Sequence, residues 1–300
     1  MKNYLDIQVP KGNVFTIKTK DDFIQLHAVI LAISKRGTGK SLALSNILRM
    51  MKENQALDRL ILVSGTYHNN KHYFENLPLD EEDILEPMKE TPLVLIEMLD
   101  QMGQEYDEYF EKLKRWKELQ KQIKSERKLE DIDDDLLLQF VDDFDKPTYK
   151  YMRDGQPYKP VVAVFFDDCQ GSKLFSPSSN LANLVIKHRH LGKTKDGALG
   201  TTLMFACQSY LSNSNGLSPV IRNNATHILF FKSKNLKEQY AVAFEVGGEV
   251  SEEDFFDVYD QAIQSPHDFL FIDLHRKKNH PSMFRRNMKE FLIPKIISNE

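Results

Sequence analysis

Apolar residues fall along this chain in short unbroken runs. Ala28-Val-Ile-Leu-Ala-Ile33 contains no polar position, Leu60–Val63 has the same character, and Val161–Phe166, Thr202–Cys207 and His227–Phe231 follow it. A strand with one wet face alternates apolar and polar residues, whereas a strand covered on both faces does not, so these five runs predict buried, mostly parallel strands. Between them the period lengthens. Leu44, Ile47, Leu48 and Met51 stand at helical spacing. Further helices are predicted over 177–190, where Ser176 can cap the end and Pro177 suits the first turn, and over 237–244 and 252–264. A sixth strand-like run, Asp268–Asp273, extends the sheet near the C-terminus, and the first twelve residues form a short alternating stretch ending at Pro10 and Gly12. Strands separated by helices predict an α/β sheet with helices on its faces.

One stretch departs from this rhythm. Tyr106, Phe110, Leu113, Trp116, Leu119 and Ile123 recur at steps of three and four among many Lys and Glu, which predicts an amphipathic helix to about residue 129. An acidic segment, 131–145, follows with Leu136, Leu137, Leu138, Phe140 and Val141 embedded in it. Residues 90–151 thus read as a charged helical insertion, a hairpin or arm, that divides a core into 1–89 and 152–300, the second part carrying a C-terminal extension. The mixed charge of the insertion reads first as a solvated helix face, with a partner-docking arm as the alternative.

Composition narrows the class. Of 300 residues, 41% are hydrophobic and 28% charged, enough for a packed core and too charged for a membrane protein. No run of eighteen apolar residues occurs and the start lacks a basic-then-apolar leader, so neither a membrane span, a membrane partner nor secretion is expected. Cys169 and Cys207 are too few for a disulfide framework or a four-thiolate zinc site, which points to a reducing cytosolic compartment. Forty Lys+Arg against forty-four Asp+Glu leave a formal charge of -4, so any nucleic-acid contact must come from local basic patches. His68 and His72 stand four apart without a third ligand nearby, which argues against zinc.

The strongest chemical signal is Ser34, Lys35, Arg36, Gly37, Thr38, Gly39, Lys40 and Ser41, set between the first strand and the first helix. A phosphate-binding loop needs glycines so that backbone N–H groups turn inward around an anion, a Lys to reach the β and γ phosphates, and a hydroxyl for Mg²⁺. Three of the four fixed positions match, Ser34 replacing the usual first glycine. ATP and Mg²⁺ are the expected cofactors, with Ser41 on the metal.

The third run ends in Asp167-Asp168. A carboxylate at the end of a buried strand beside a phosphate loop can hold the metal's hydration shell, and a second can polarise the attacking water, so Asp167 takes the first role and Asp168 the second. Two acids after a strand can also be ordinary loop polarity; their order after the phosphate loop favours chemistry. Gln208 directly follows the fourth run, where it can contact γ-phosphate or water. For it to reach the same edge, the fourth strand must lie between the first and third, which predicts the order 5-1-4-3-2 with every active group at the carboxyl ends of the strands.

With these motifs in order, the chain resembles the FtsK/HerA superfamily of P-loop translocases, and within it the genome-packaging ATPases of large DNA viruses and virophages. The likeness is carried by Ser34–Ser41, Ser64-Gly-Thr66, Phe165–Asp168, Lys187–Gly192, Phe205–Gln208, Pro219–Asn224, and Asp268–Asp273 with Phe284–Asn287. Departures are Ser34, Asp168 in place of the commoner Glu, and the long insertion. The resemblance implies a P-loop ATPase core of the additional-strand type and a motor that packages double-stranded viral DNA into a capsid. It further implies a ring of five or six subunits, capsid or portal-vertex proteins as partners, and a place in the host-cell cytoplasm, at the viral assembly site or on the virion.

The same resemblance implies an arginine reaching a neighbour's nucleotide, with Arg189 and Arg222 as equal candidates and Arg36 able to supply charge in cis. DNA contacts are expected from Lys193 and Lys195 in the loop 192–200, beside Lys187, His188 and Thr194, and from Arg276, Lys277 and Lys278 with Arg285, Arg286 and Lys289. Lys and Arg directed at phosphates bind any sequence, as a motor requires. A cellular or plasmid DNA pump of the same superfamily and a nonhydrolytic nucleotide-binding scaffold are the alternatives. A small-molecule kinase would use the loop without needing the Asp pair, Gln208 and a downstream Arg.

Overall fold

The computed structural model describes residues 24–125, 145–211, 217–246 and 250–294. The alternating N-terminal stretch and the apolar residues of the acidic segment, Leu136 to Val141, lie outside the described residues. The strands β1 (Val29–Ile33), β2 (Arg59–Val63), β3 (Ile84–Leu85), β4 (Val162–Asp167), β5 (Thr201–Cys207), β6 (His227–Phe231), β7 (Phe269–Asp273), β8 (Phe284–Arg286) and β9 (Glu290–Leu292) form one sheet. Their order is β9-β8-β7-β6-β1-β5-β4-β2-β3. Every pairing from β6 through β3 is parallel, and β7, β8 and β9 add antiparallel strands beyond β6. Counted over the five apolar runs, the order is fifth, first, fourth, third, second, as the sequence predicts.

Unbroken hydrophobicity follows from two cores. Val29, Leu31 and Ile33 face one of them and Ile30 and Ala32 the other, so β1 has no wet side. On the second face lies α1 (Lys40–Glu53), whose Leu44, Ile47, Leu48 and Met51 are buried. The first face is covered by α2 (Thr91–Ser125), α3 (Leu181–Lys187), α4 (Pro219–Asn223), α5 (Leu236–Val246) and α6 (Glu252–Ala262). The helix predicted over 177–190 is shorter than expected: Ser179 Oγ donates to Leu174 O at 2.5 Å within a turn that precedes α3, and residues 188–190 tighten into a 3-10 turn. No helix among the described residues is long and apolar enough to cross a membrane.

Helix α2 serves the core before it enters the charged stretch. Its first turns bury Leu95, Leu99 and Met102 against the sheet, and Thr91 Oγ1 anchors its start by donating to Glu86 O at 2.7 Å and accepting from Met88 N at 3.0 Å. Farther along, the segment 192–200, expected as a flexible loop, is a two-stranded hairpin (Lys193–Thr194 with Gly197–Ala198) lying on this helix. Asp100 accepts from Gly192 N at 3.0 Å, Asp107 accepts from Lys195 N at 2.9 Å, and Glu111 pairs with the Lys195 ammonium. Gly103 makes the approach possible, because a Cβ there would stand 2.4 Å from Lys193 O.

At the amino end of β1, His27 takes a left-handed backbone (φ 58°) and its carbonyl meets His188 Nε2 at 2.8 Å. Burial, with His188 and Arg189 adding to it, lowers the His27 pKa to about 4, and burial lowers that of His188 as well. The unfolded chain therefore binds protons that the folded chain refuses, and stability present above about pH 6.5 is lost as pH falls toward 4. His27→Asn, which keeps a residue tolerant of positive φ, should remove roughly 3 kcal/mol of that acid destabilisation. Thermal melts across pH 4–7.5 would show a flattened profile with a residual slope from His188; an unchanged profile would refute the assignment.

Candidate functional site

The phosphate loop spans from the end of β1 to the start of α1. Gly37 (φ 80°) and Gly39 (φ 97°) both take left-handed conformations that Cβ-bearing residues avoid, which lets the chain double back so that backbone N–H groups can face an anion. Lys40 is nearly buried and folds over the loop, its Nζ donating to Ser34 O at 2.6 Å and Lys35 O at 2.8 Å. Burial lowers its pKa, while Cys207, Asp168 and Asp167 oppose the shift. Ser34 holds the usual glycine position with its own N–H on Cys207 O at 3.1 Å.

Facing the loop is the carboxyl end of β4. Ser41 Oγ donates to Asp167 Oδ1 at 2.6 Å. Asp167 is 1% exposed, and its Oδ2 is buried without a hydrogen bond of regular geometry. Burial raises its pKa, against the Ser41 hydrogen bond, Lys40 and the Asn70 side chain, while Asp168 adds to the rise. A buried carboxylate with one open oxygen, next to a hydroxyl, is a hard-oxygen donor pair of the kind that holds Mg²⁺ with its waters. The residues fit that ion.

Asp168 turns the other way. It has φ 51°, its side chain is exposed, and its Oδ1 accepts from Gln208 Nε2 at 2.7 Å. The predicted residues Lys40, Ser41, Asp167, Asp168 and Gln208, with Arg36, Thr38, Thr66, Asn69 and Asn70, line one cavity of about 270 Å³. Sequence reading missed Gln170. Its Oε1 accepts from the backbone N–H of Gln208 (2.6 Å) and Ser209 (2.9 Å), and its Nε2 donates to Ser209 O at 2.9 Å, so it fixes the turn that aims Gln208. No periodicity marks a lone Gln after a strand; only its distance from the Asp pair hinted at it.

The remaining predicted residues lie elsewhere. Arg222 is held within its own chain: Nε pairs with Glu245 at 3.1 Å, Nη1 donates to Leu217 O at 2.8 Å, and the guanidinium lies over the Tyr210 ring. Arg189 is exposed at the opposite edge, where the parallel strands begin, and lines a cavity of about 810 Å³ with Lys193, His190 and His275. The loop holding Arg276, Lys277 and Lys278 follows β7, which runs antiparallel, and therefore emerges at that same edge. Arg285 and Arg286, expected with that cluster, are structural: Arg285 is buried over the rings of Phe291 and Phe271, and Arg286 pairs with Asp268 at 2.8 Å.

A phosphate loop after the first strand of a parallel sheet, with β5 interposed between β1 and the Asp-bearing β4, defines a P-loop NTPase fold of the additional-strand type. No protein-family model matches the chain, and no curated protein matches it. Among solved structures it is similar to the genome packaging NTPase B204 of Sulfolobus turreted icosahedral virus 2 in complex with AMPPCP, at TM-score 0.44 and 10% identity over 86% of this chain and 96% of that one. It is also similar to B204, the DNA-packaging ATPase of Sulfolobus turreted icosahedral virus, at TM-score 0.41 and 13% identity over 87% and 97%. The pCW3 conjugation coupling protein TcpA with ATPgS matches at TM-score 0.41 and 15% identity over 88% of this chain and 61% of that one. These are distant likenesses.

Lys40→Ala should weaken ATP binding about ten- to hundredfold, the worth of charge-assisted hydrogen bonds to phosphate. Gln208→Ala, which removes a group bonded to Asp168 and not to the loop, should change affinity only a few-fold. Calorimetric titration of both variants with ATP in magnesium buffer checks the division; equal losses would undo it.

Proposed function

We propose that the chain is an ATP-hydrolysing DNA translocase of the FtsK/HerA type, and specifically the motor that drives double-stranded DNA into a viral capsid, working as a ring of five or six copies. The observation that carries the reading is β5. This strand is buried along its whole length, ends one residue before Gln208, whose side chain meets Asp168, and starts shortly after the basic hairpin that holds Lys193 and Lys195. In this reading its seven residues, roughly 23 Å at ~3.3 Å per residue, would join a nucleotide contact at one end to a DNA contact at the other through one rigid element.

In this reading the Lys40 ammonium leaves the carbonyls of Ser34 and Lys35 for the β and γ phosphates. Ser41 and Asp167 would hold Mg²⁺, which would supply charge neutralisation to the phosphates. Asp168 orients a water for attack on the γ-phosphorus and accepts its proton as the bond to the β–γ bridging oxygen breaks, releasing ADP and phosphate. Gln208, freed from or held by Asp168 according to the occupant, reports that state to β5. A finger supplied by a neighbouring copy would be Arg189, which is exposed, or Arg222 after leaving Glu245 and Tyr210. Capsid or portal-vertex proteins would be the docking partners.

Duplex DNA should stimulate ATP turnover of the full chain, and Asp168→Asn should cut turnover at least a hundredfold while sparing ATP affinity, because Asn can still accept from Gln208 but cannot take a proton. Turnover by steady-state phosphate release decides this. Absence of any turnover would favour a nonhydrolytic scaffold, and DNA-indifferent turnover would remove the translocase reading.

The grip has its own signature. Every lysine taken away from a DNA phosphate should lower the salt slope of duplex binding by about 0.9. Lys193→Ala should take away one; adding Lys195→Ala should take away a second only if Lys195 leaves Glu111 for DNA. Basal turnover should survive in both. Duplex affinity over a salt series measures the slope, and an unchanged slope would move the grip to Arg276, Lys277 and Lys278.

A further inference from the structure

Residues 100, 103, 107 and 111 of α2 stand at steps of three and four and so share one face of the helix. Gly103 leaves that face bare at one point, and Asp100, Asp107 and Glu111 make the rest of it acidic. The hairpin of residues 193–198 lies on it. Where the two meet, the hairpin donates and the helix accepts: Gly192 N gives to Asp100 at 3.0 Å, Lys195 N to Asp107 at 2.9 Å, and the Lys195 ammonium to Glu111. Backbone N–H groups and Lys side chains are also the donors with which proteins hold DNA phosphates. Helix α2 therefore offers the hairpin the anionic oxygens that a duplex backbone would.

The contact is firm at the base of the hairpin and loose at its tip. At the base the backbones touch, since a Cβ on Gly103 would stand 2.4 Å from Lys193 O and 2.8 Å from Gly192 C. At the tip the Lys195 and Glu111 side chains are 66% and 48% exposed. A cavity of about 310 Å³, lined by Tyr106, Phe110 and Lys114 as well as this pair, keeps helix and tip from packing. An exposed ion pair of this kind is weak and screened by salt.

Both partners have somewhere else to go. The Lys195 hydrogen bond and charge hold the Glu111 carboxyl below its ordinary pKa, and Arg115 and Lys114 add to this. Standing four and three residues along the same helix, these two can take the carboxylate when Lys195 leaves. The tip keeps its place meanwhile, because Asp196 pairs with Lys159, just ahead of β4, at 2.7 Å. Lys195 can thus exchange a carboxylate for a phosphate without the hairpin being rebuilt.

We infer that α2 is a built-in competitor for DNA: Asp107 and Glu111 occupy the Lys195 donors in place of a duplex phosphate, so the hairpin grips fully only where a duplex displaces the helix. A motor that must release each phosphate gains a ready way of letting go. The inference rests on the DNA-binding reading above. The test measures duplex affinity of the full chain over a salt series. Glu111→Gln, which keeps the shape and loses the charge, should bind roughly threefold tighter at low salt, with the gain shrinking as salt rises. Glu108→Gln removes the same formal charge from an exposed position of the same helix and should gain less than about twofold. In a Lys195→Ala background, Glu111→Gln should fall back to the Glu108→Gln gain, because the competitor has lost the group it occupies. Equal gains for the two glutamates in the unaltered chain, or a Glu111 gain that persists without Lys195, would overturn the inference. Weaker binding by Glu111→Gln would overturn it too and make the pair a brace for the hairpin. Failure of the unaltered chain and of every variant to bind duplex would instead remove the DNA reading, and this one with it.

Discussion

Register between parallel strands holds the phosphate-loop edge of the sheet together. Ile33 lies opposite Cys207 and Asp167 opposite Ala206, so the phosphate loop, the Asp pair and Gln208 all leave the sheet at one level. Because side chains alternate faces, a slip of one residue in β5 would turn Gln208 away and drive its buried partners to the wrong core. The 2.6 Å hydrogen bond from Ser41 to Asp167 is possible only in this register, since it joins the start of α1 to a strand that is not the neighbour of β1. Site geometry here is a property of the sheet before it is a property of any side chain.

The same logic explains what the sequence revealed. Five apolar runs were legible because strands covered on both sides leave an unambiguous trace, and Lys40, Ser41, Asp167, Asp168 and Gln208 were legible because each follows closely on such a run. The antiparallel strands β8 and β9 were not. Their residues Phe284-Arg-Arg and Glu290-Phe-Leu mix charge with apolar groups, since Arg285 is buried by stacking on Phe291 and Arg286 is held by pairing with Asp268, and no simple period links these partners. Strand β3 was hidden for a similar reason: two residues, Ile84 and Leu85, follow the buried Asp83 whose carboxylate takes a forked contact from Arg59 at 2.6–3.1 Å. Gln170 acts through backbone groups of another segment, and contacts of that kind leave no spacing to read.

Charge on α2 teaches a related lesson. Mixed Lys and Glu on a helix usually means a face turned to water, yet Asp100, Asp107 and Glu111 lie along one side of the helix and hold the 192–200 hairpin through Gly192 N, Lys195 N and the Lys195 ammonium. These carboxylates do for a hairpin what capping residues do for a helix. Helix α2 and the basic hairpin thus form one local unit, joined to the edge where Arg189, Lys193 and the 276–278 loop collect.

Strand β5 is hydrogen-bonded to β1 on one side and β4 on the other, with all seven residues buried. Such an element has no slack. It cannot lengthen, and sliding it past its neighbours would break two ladders at once, so displacement at its Gln208 end reaches the hairpin only as tilt of the strand together with the sheet around it. Any displacement transmitted this way is that of a lever pivoting within a packed layer, and its reach at the far edge is set by the twist of the sheet.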